Sequence, residues 1–409
     1  MNENISMLLS NLEGYFHRRY ESLAKLNCKT YEDFFIDTNE AMESCKINEF
    51  IINTLVDYRK QIGANNSLTN YKFKLHITNL LKIEDTYNLI VKENFKYKYR
   101  RYPLYTMGSI EHNFVLAKVG REYKIIEHDD KDRFISHIKK LFEEEVKDHR
   151  NKNYEKASSL FYNENRCLSE GKNHEEFNND KFKENLEKLT LSLNKVKKEI
   201  LEKAQLYRKK FLSDNNVLLK GDHNKKSEIG SKFRQEYQWK EYDRNAAYEY
   251  ARKWWNKTNP KYLNFHGLGG DCTNFTSQCV HAGGISMDLE KPYIWKYFSS
   301  EHNSTSERIG RSSSWTSVME FRKYAQLNTI GKGLRAEIGH DLKVVERGDI
   351  VQIEDEHSTL VVNNIYKKNQ LIDILISSHT DDRFNESLIE EWPNEDFQKT
   401  VIKIKGCYI

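Results

Sequence analysis

The sequence predicts an α+β protein, and three observations carry that prediction. Apolar residues near the start recur at helical spacing, β-branched and aromatic residues then alternate over four short runs, and a glycine-bounded helix in the C-terminal part is followed by a hairpin pattern. At 409 residues the chain exceeds the usual size of one domain, so two or three folded units are expected.

Between residues 5 and 62, Leu8, Leu12, Tyr15, Phe34, Phe35, Phe50, Ile51 and Leu55 mark helices, with turn signals at Asn27-Cys28 and Gly63-Ala64-Asn65-Asn66. Runs at 71–77, 86–91, 112–119 and 123–126 read as an antiparallel meander. Helices followed by a curved meander resemble the cone-shaped nuclear-transport-factor-like superfamily, which implies a binding or spacing domain over residues 1–130. Residues 131–225 turn dense in Lys and Glu, with one periodic run through Phe182, Leu186, Leu189, Leu193, Val196, Ile200 and Leu206. That pattern predicts a charged helical linker, or a coiled coil that binds a protein partner, with an exposed hinge at Asp222-His223-Asn224-Lys225-Lys226-Ser227. Residues 226–409, rich in Trp, Gly and small residues from Tyr242 onward, form the last domain.

Composition excludes several classes. Charged residues are 31% and hydrophobic ones 38%, with 24 Tyr and 20 Phe, which describes a polar, ordered chain whose core is largely aromatic. A formal charge of +4 is too small for this length to imply nucleic acid or a membrane surface as partner. The first residues lack a basic n-region and an apolar h-region, so a cytoplasmic location is expected. Cys28, Cys45, Cys167, Cys272, Cys279 and Cys407 form no CxxC pair, which fits a reducing compartment and predicts neither a metal cluster nor a cofactor.

Chemistry concentrates after Tyr242. Asp243 is placed to N-cap a helix from Arg244 to about Asn256, which ends before Asn259-Pro260. A loop then leads through Gly269-Gly270 into the helix Asp271 to Ala282, closed by Gly283-Gly284. Cys272 falls in the first turn of that helix, where unpaired amides and the helix dipole favour a thiolate, the nucleophile that acyl transfer needs. Gly270 and Asp271 belong to the turn whose free amides can point at a developing oxyanion. A small buried cysteine in a tight turn is the alternative for Cys272; Cys279, two turns on, reads as core. A zinc site from Cys272, Cys279, His266 and His281 lacks a ligand spacing.

Downstream, 357–365 and 370–380 read as the two arms of a hairpin. A tip at Lys367–Asn369 makes partner numbers sum to about 736, which sets His357 against His379 on one face. One imidazole would then take the thiol proton while the other orients it. Asp373 is the weaker candidate for the third role, because the same register sets it opposite Asn363. Tyr242 and Trp315 are expected to shape the cleft.

The motifs Tyr242-Asp243-Arg244-Asn245-Ala246-Ala247, Gly269-Gly270-Asp271-Cys272-Thr273-Asn274-Phe275, Ala282-Gly283-Gly284, Ser314-Trp315, Gly348-Asp349 and His379-Thr380-Asp381-Asp382-Arg383 resemble the bacterial family called the "putative amidase domain". That family is related to the CHAP and NlpC-type cysteine peptidases. The resemblance implies a papain-like domain, its nucleophile helix packed on an antiparallel sheet. It also implies Cys272 as nucleophile, His357 as base and His379 as orienting residue. The implied activity is cysteine-dependent cleavage of an amide in a peptide or peptidoglycan-like substrate through a thioester. A peptide-tailoring acyltransferase on the same triad and a catalytically dead binding module are the alternatives.

Overall fold

The computed structural model describes residues 2–61, 66–102, 104–132, 135–141, 179–213, 237–266, 268–290, 293–329, 331–392 and 397–409. The turn at 63–65, the hinge expected at 222–227, Cys167 and the side chains of Phe182 and Leu186 lie outside the described residues. The chain divides into two compact units, Met1–Pro103 with Ile110–Leu206, and Leu104–Ser109 with Tyr207–Ile409. Both mix helices with antiparallel strands. Among the described residues, no helix is long and apolar enough to cross a membrane.

In the first unit, helices α1 (Asn2–Lys25) and α2 (Asn39–Gln61) precede strands β1 (Leu68–Ile83), β2 (Thr86–Tyr99), β3 (Tyr105–Val119) and β4 (Glu122–Asp130). β1 pairs antiparallel with β2, and β3 with β4. Burial alternates along β2, so the meander has one apolar face. On that face Val91, Phe114, Leu116 and Ile125 meet Leu8, Leu12, Tyr15 and Phe16 of α1 and Cys45, Ile52 and Val56 of α2.

The long periodic run is helix α3 (Asn179–Ser213), and it is not a solvated linker. Leu189, Leu193, Val196, Ile200 and Ala204 pack against Ile47, Phe50, Ile51 and Tyr58 of α2, so the stripe is core of the first unit. Periodicity announces such a stripe but not what covers it. Leu206, at the end of the run, is exposed instead.

The second unit contains β5 (Trp239–Glu241), α4 (Arg244–Trp254), α5 (Cys272–Ala282), α6 (Ser313–Thr316), α7 (Val318–Leu327) and β6 (Gly333–Gly339). It continues with β7 (Ile350–Ile353), β8 (His357–Lys367), β9 (Gln370–Ser378), β10 (Arg383–Ser387), α8 (Leu388–Glu391) and β11 (Lys399–Tyr408). Its sheet runs β10-β9-β8-β7-β11, with β5 and β6 also hydrogen-bonded to β11. The unit is not contiguous in sequence: Met107 and Gly108 pair with Phe384 and Arg383 of β10, so a boundary at residue 226 is corrected. On one face of the sheet Val351, Ile353, Val361, Ile374 and Ile376 cluster with Leu388, Ile389 and Trp392. The opposite face carries α5, where Thr273 meets Ser358 of β8.

Candidate active site

Asp243 starts α4 as its residue type predicts, its Oδ1 accepting from the Ala246 amide at 2.9 Å. α5 begins at Cys272, after Gly269 and Gly270 at φ of 102° and 107°, which a side chain would strain. Every residue from Cys272 to Val280 is buried, polar ones included. The polar ones are held from all sides: Thr273 Oγ1 lies 3.0 Å from Ser358 Oγ, Ser277 accepts from Trp295 Nε1 at 3.3 Å, and Gln278 accepts from the Tyr250 hydroxyl at 2.7 Å. The helix start is therefore a fixed object.

Asp271 is the centre of that fixation. Its Oδ1 accepts from the Phe265 amide at 3.0 Å and from Asn274 Nδ2 at 2.9 Å, and its Oδ2 lies 2.7 Å from Nδ1 of His379. The other ring nitrogen of His379 donates to the Trp254 carbonyl at 2.8 Å, and the ring stacks on Phe275 at 4.0 Å. Both ring nitrogens are therefore held, one by the Asp271 carboxyl group and one by a backbone carbonyl. The pair is almost fully buried. His379 thus orients Asp271 and the start of α5, and it does not orient His357. Asp271 points inward, and its amide donates to Thr380 Oγ1 at 2.9 Å. The Gly270 amide turns back to the Phe265 carbonyl at 3.3 Å. The helix ladder leaves over the amides of Cys272 and the residues just after it, and these are the donors suited to an oxyanion.

Hairpin arithmetic explains the difference. The tip is the two-residue turn Lys368-Asn369, with φ of 50° and 62°, and Lys367 pairs with Gln370. Partner numbers therefore sum to 737 at that end and again at Leu360↔Ser377, one more than expected. A one-residue slip exchanges faces. His379 consequently shares the face of Ser358 and α5, while His357 pairs with Ile353 and lies on the face of Trp392, ring centroids 5.8 Å apart. Cys272 Sγ instead approaches the carbonyl of Glu356, at 3.9 Å. The turn bearing that carbonyl is gripped by Arg322, which donates to the Glu354 carbonyl and Gln352 Oε1, both at 2.9 Å, and pairs with Asp355.

The remaining expected residues sit elsewhere. Trp315 is fully buried and stacked on Trp295, and its Nε1 donates to Asn274 Oδ1 at 3.0 Å. It does not line a cleft but supports Asp271 through Asn274. Tyr242 stands at the C-terminal end of α5, about 16 Å along the helix axis from Cys272, and its hydroxyl donates to the Gly348 carbonyl at 2.8 Å. A Cβ on Gly283 would come within 2.2 Å of the Tyr242 ring and 2.9 Å of the Asp243 carbonyl. Gly283→Ala is accordingly expected to cost about 1–3 kcal/mol by overpacking, read as a lowered Tm with the folded spectrum retained. Asp373 is buried on β9 opposite Ile365 and accepts from Ser387 at 2.6 Å, with no link to Cys272. Sequence reasoning missed Asn274 and Thr380 as supports; both lie inside recognised motifs, but only the fold brings them to Asp271.

A cysteine thus stands at a glycine-led helix start, backed by a buried acid–imidazole pair. Residues 241–402 match the family described as "Putative amidase domain", so the C-terminal unit carries an amidase-type domain. Over 137 residues the chain is 34% identical to a Bacillus subtilis (strain 168) protein described as "Uncharacterized protein YhbB", covering 30% of this chain and 37% of that one. The chain thus spans well under half of that relative's length. No solved structure matches.

Proposed function

We propose that the C-terminal unit is a cysteine-dependent amidase of the papain-like type, with Cys272 forming a thioester acyl-enzyme on a peptide or peptidoglycan-like amide. The observation that carries this reading is the immobilised helix start: the Asp271–His379 pair fixes the turn from which Cys272 projects. Nucleophilic catalysis requires such preorganisation. His357 is the proposed base. It follows Glu356, whose carbonyl touches the thiol, and the 354–357 turn must bring its ring round from Trp392 as substrate binds. Catalytic contacts are often long before substrate arrives.

That same placement of His357 favours a second reading, a catalytically silent binding module. Iodoacetamide labelling separates the two. An active thiol at Cys272 is expected to be alkylated well before Cys28, whose thiol is pushed up to about 11 by burial and by Glu49, and before Cys279, whose thiol burial also pushes up. Labelling of Cys272 no faster than Cys28, together with no amide loss from peptide or peptidoglycan fragments by mass spectrometry, would leave the binding module.

A further inference from the structure

The first unit buries a set of titratable side chains that the amidase reading does not use. His112 of β3 and Asp130 of β4 are cross-strand partners, and His128 lies two residues before Asp130, so all three project from one face of the sheet. They are 1%, 3% and 4% exposed for His112, Asp130 and His128 in turn. α1 adds Tyr15 and Arg19, α2 adds Asn48, and β2 adds Glu93.

The outer hydrogen bonds fix the two rings. His112 Nε2 lies 3.1 Å from Glu93 Oε2, and that carboxylate also accepts from the Tyr20 hydroxyl at 2.7 Å on its other oxygen. His128 Nδ1 lies 2.9 Å from Asn48 Oδ1 and 3.0 Å from the Tyr15 hydroxyl. The Asn48 amide cannot be turned round, because its Nδ2 already donates to the carbonyls of Ser44 and His128, at 2.9 and 3.2 Å. Glu93 calls for hydrogen on His112 Nε2, and Asn48 Oδ1 calls for hydrogen on His128 Nδ1, against the Tyr15 hydroxyl and Arg19 Nη1, which can donate to that same nitrogen. The inner nitrogens, His112 Nδ1 and His128 Nε2, face each other at 3.1 Å, and in neutral rings so protonated both are lone pairs. In that tautomer two lone pairs 3.1 Å apart repel each other unless a cation lies between them.

A metal ion meets that condition. Two imidazole nitrogens, each about 2.0–2.1 Å from one tetrahedral ion, stand roughly 3.3 Å apart. Asp130 completes a set whose ligand atoms all lie within 4.8 Å of one another. The Glu93 carboxylate and the Asn48 carbonyl are the outer partners that metal-bound imidazoles use. Arg19 opposes a cation: it pairs with Asp130 Oδ2 at 2.7 Å, and its Nη1 lies 3.4 Å from His128 Nδ1 and 3.5 Å from His128 Nε2, the proposed ligand atom. It leaves Asp130 Oδ1, which also accepts from the Asp132 amide at 3.2 Å, as the ligating oxygen. A proton shared by the two rings is the competitor.

We propose that His112, His128 and Asp130 bind a divalent first-row transition metal, of the zinc class by their nitrogen and oxygen donors. The test titrates chelator-stripped full-length protein with Co²⁺ at pH 8, where the competing proton is weakest. One Co²⁺ per chain is expected, with visible d–d bands and no thiolate charge-transfer band. Affinity is expected to fall by more than about tenfold in His128→Gln and in Asp130→Asn, and to stay unchanged in Cys272→Ala. Absence of stoichiometric uptake of Co²⁺ or Zn²⁺ by the unmodified chain would overturn the proposal and leave the shared proton. Thiolate bands, or undiminished binding by a variant that is still folded by near-UV circular dichroism, would overturn it equally.

Discussion

Cys272→Ala is expected to lower amide hydrolysis by roughly a thousandfold or more, because the proposed nucleophile is lost while the rest of the site stays in place. The thermal transition should move by no more than a few degrees, since the residue is small and the hydrogen bonds of its sulfur, to Thr273 Oγ1 and the Glu356 carbonyl, are both long at 3.9 Å. Activity measured against a released amine, beside Tm, reads both effects. Retained turnover in the alanine variant would remove Cys272 from the mechanism. A matching loss in His357→Ala, at unchanged Tm, is the result the proposed base requires.

His379→Ala is expected to act in the opposite manner, on the fold first. It leaves the buried Asp271 side chain without its imidazole partner, a loss of about 3–5 kcal/mol for a broken buried pair. For a unit of this size that amounts to a drop in Tm on the order of 10 °C. The double variant Asp271→Ala/His379→Ala should cost less than the sum of the single changes, because the stranded side chain is then absent. Strict additivity would show that the two groups, 2.7 Å apart, are not coupled. Activity should fall in both single variants as the first turn of α5 loosens.

Local signals in the sequence translated well into structure. Asp243 as a cap, the glycine-bounded helix from Cys272 to Ala282 and the hairpin near residue 368 each depend on a few adjacent residues, and each is present. The face on which His357 lies depends instead on whether the turn holds two residues or three. Lys368 adopts positive φ without the glycine that usually announces such a turn, so the parity was hidden. Tyr242 and Trp315 were legible as aromatic members of the motifs, but their sites against Gly283 and Asn274 follow from tertiary packing alone. The same holds for α3, whose stripe was visible while its partner on α2 was not.

The six residues 104–109 belong to the amidase-type unit although residues 110–206, 97 in all, separate them from the rest of it. Thr106 Oγ1 donates to the Asn385 carbonyl at 3.0 Å, Asn385 Nδ2 to the Tyr105 carbonyl at 3.2 Å, and Arg383 Nη1 to the Ser109 carbonyl at 2.6 Å. A recombinant fragment that begins near residue 226 would therefore present a bare, hydrogen-bond-hungry edge at β10 and be prone to self-association. Supplying the missing strand as a synthetic peptide, or grafting it by circular permutation, is the rational way to isolate this half.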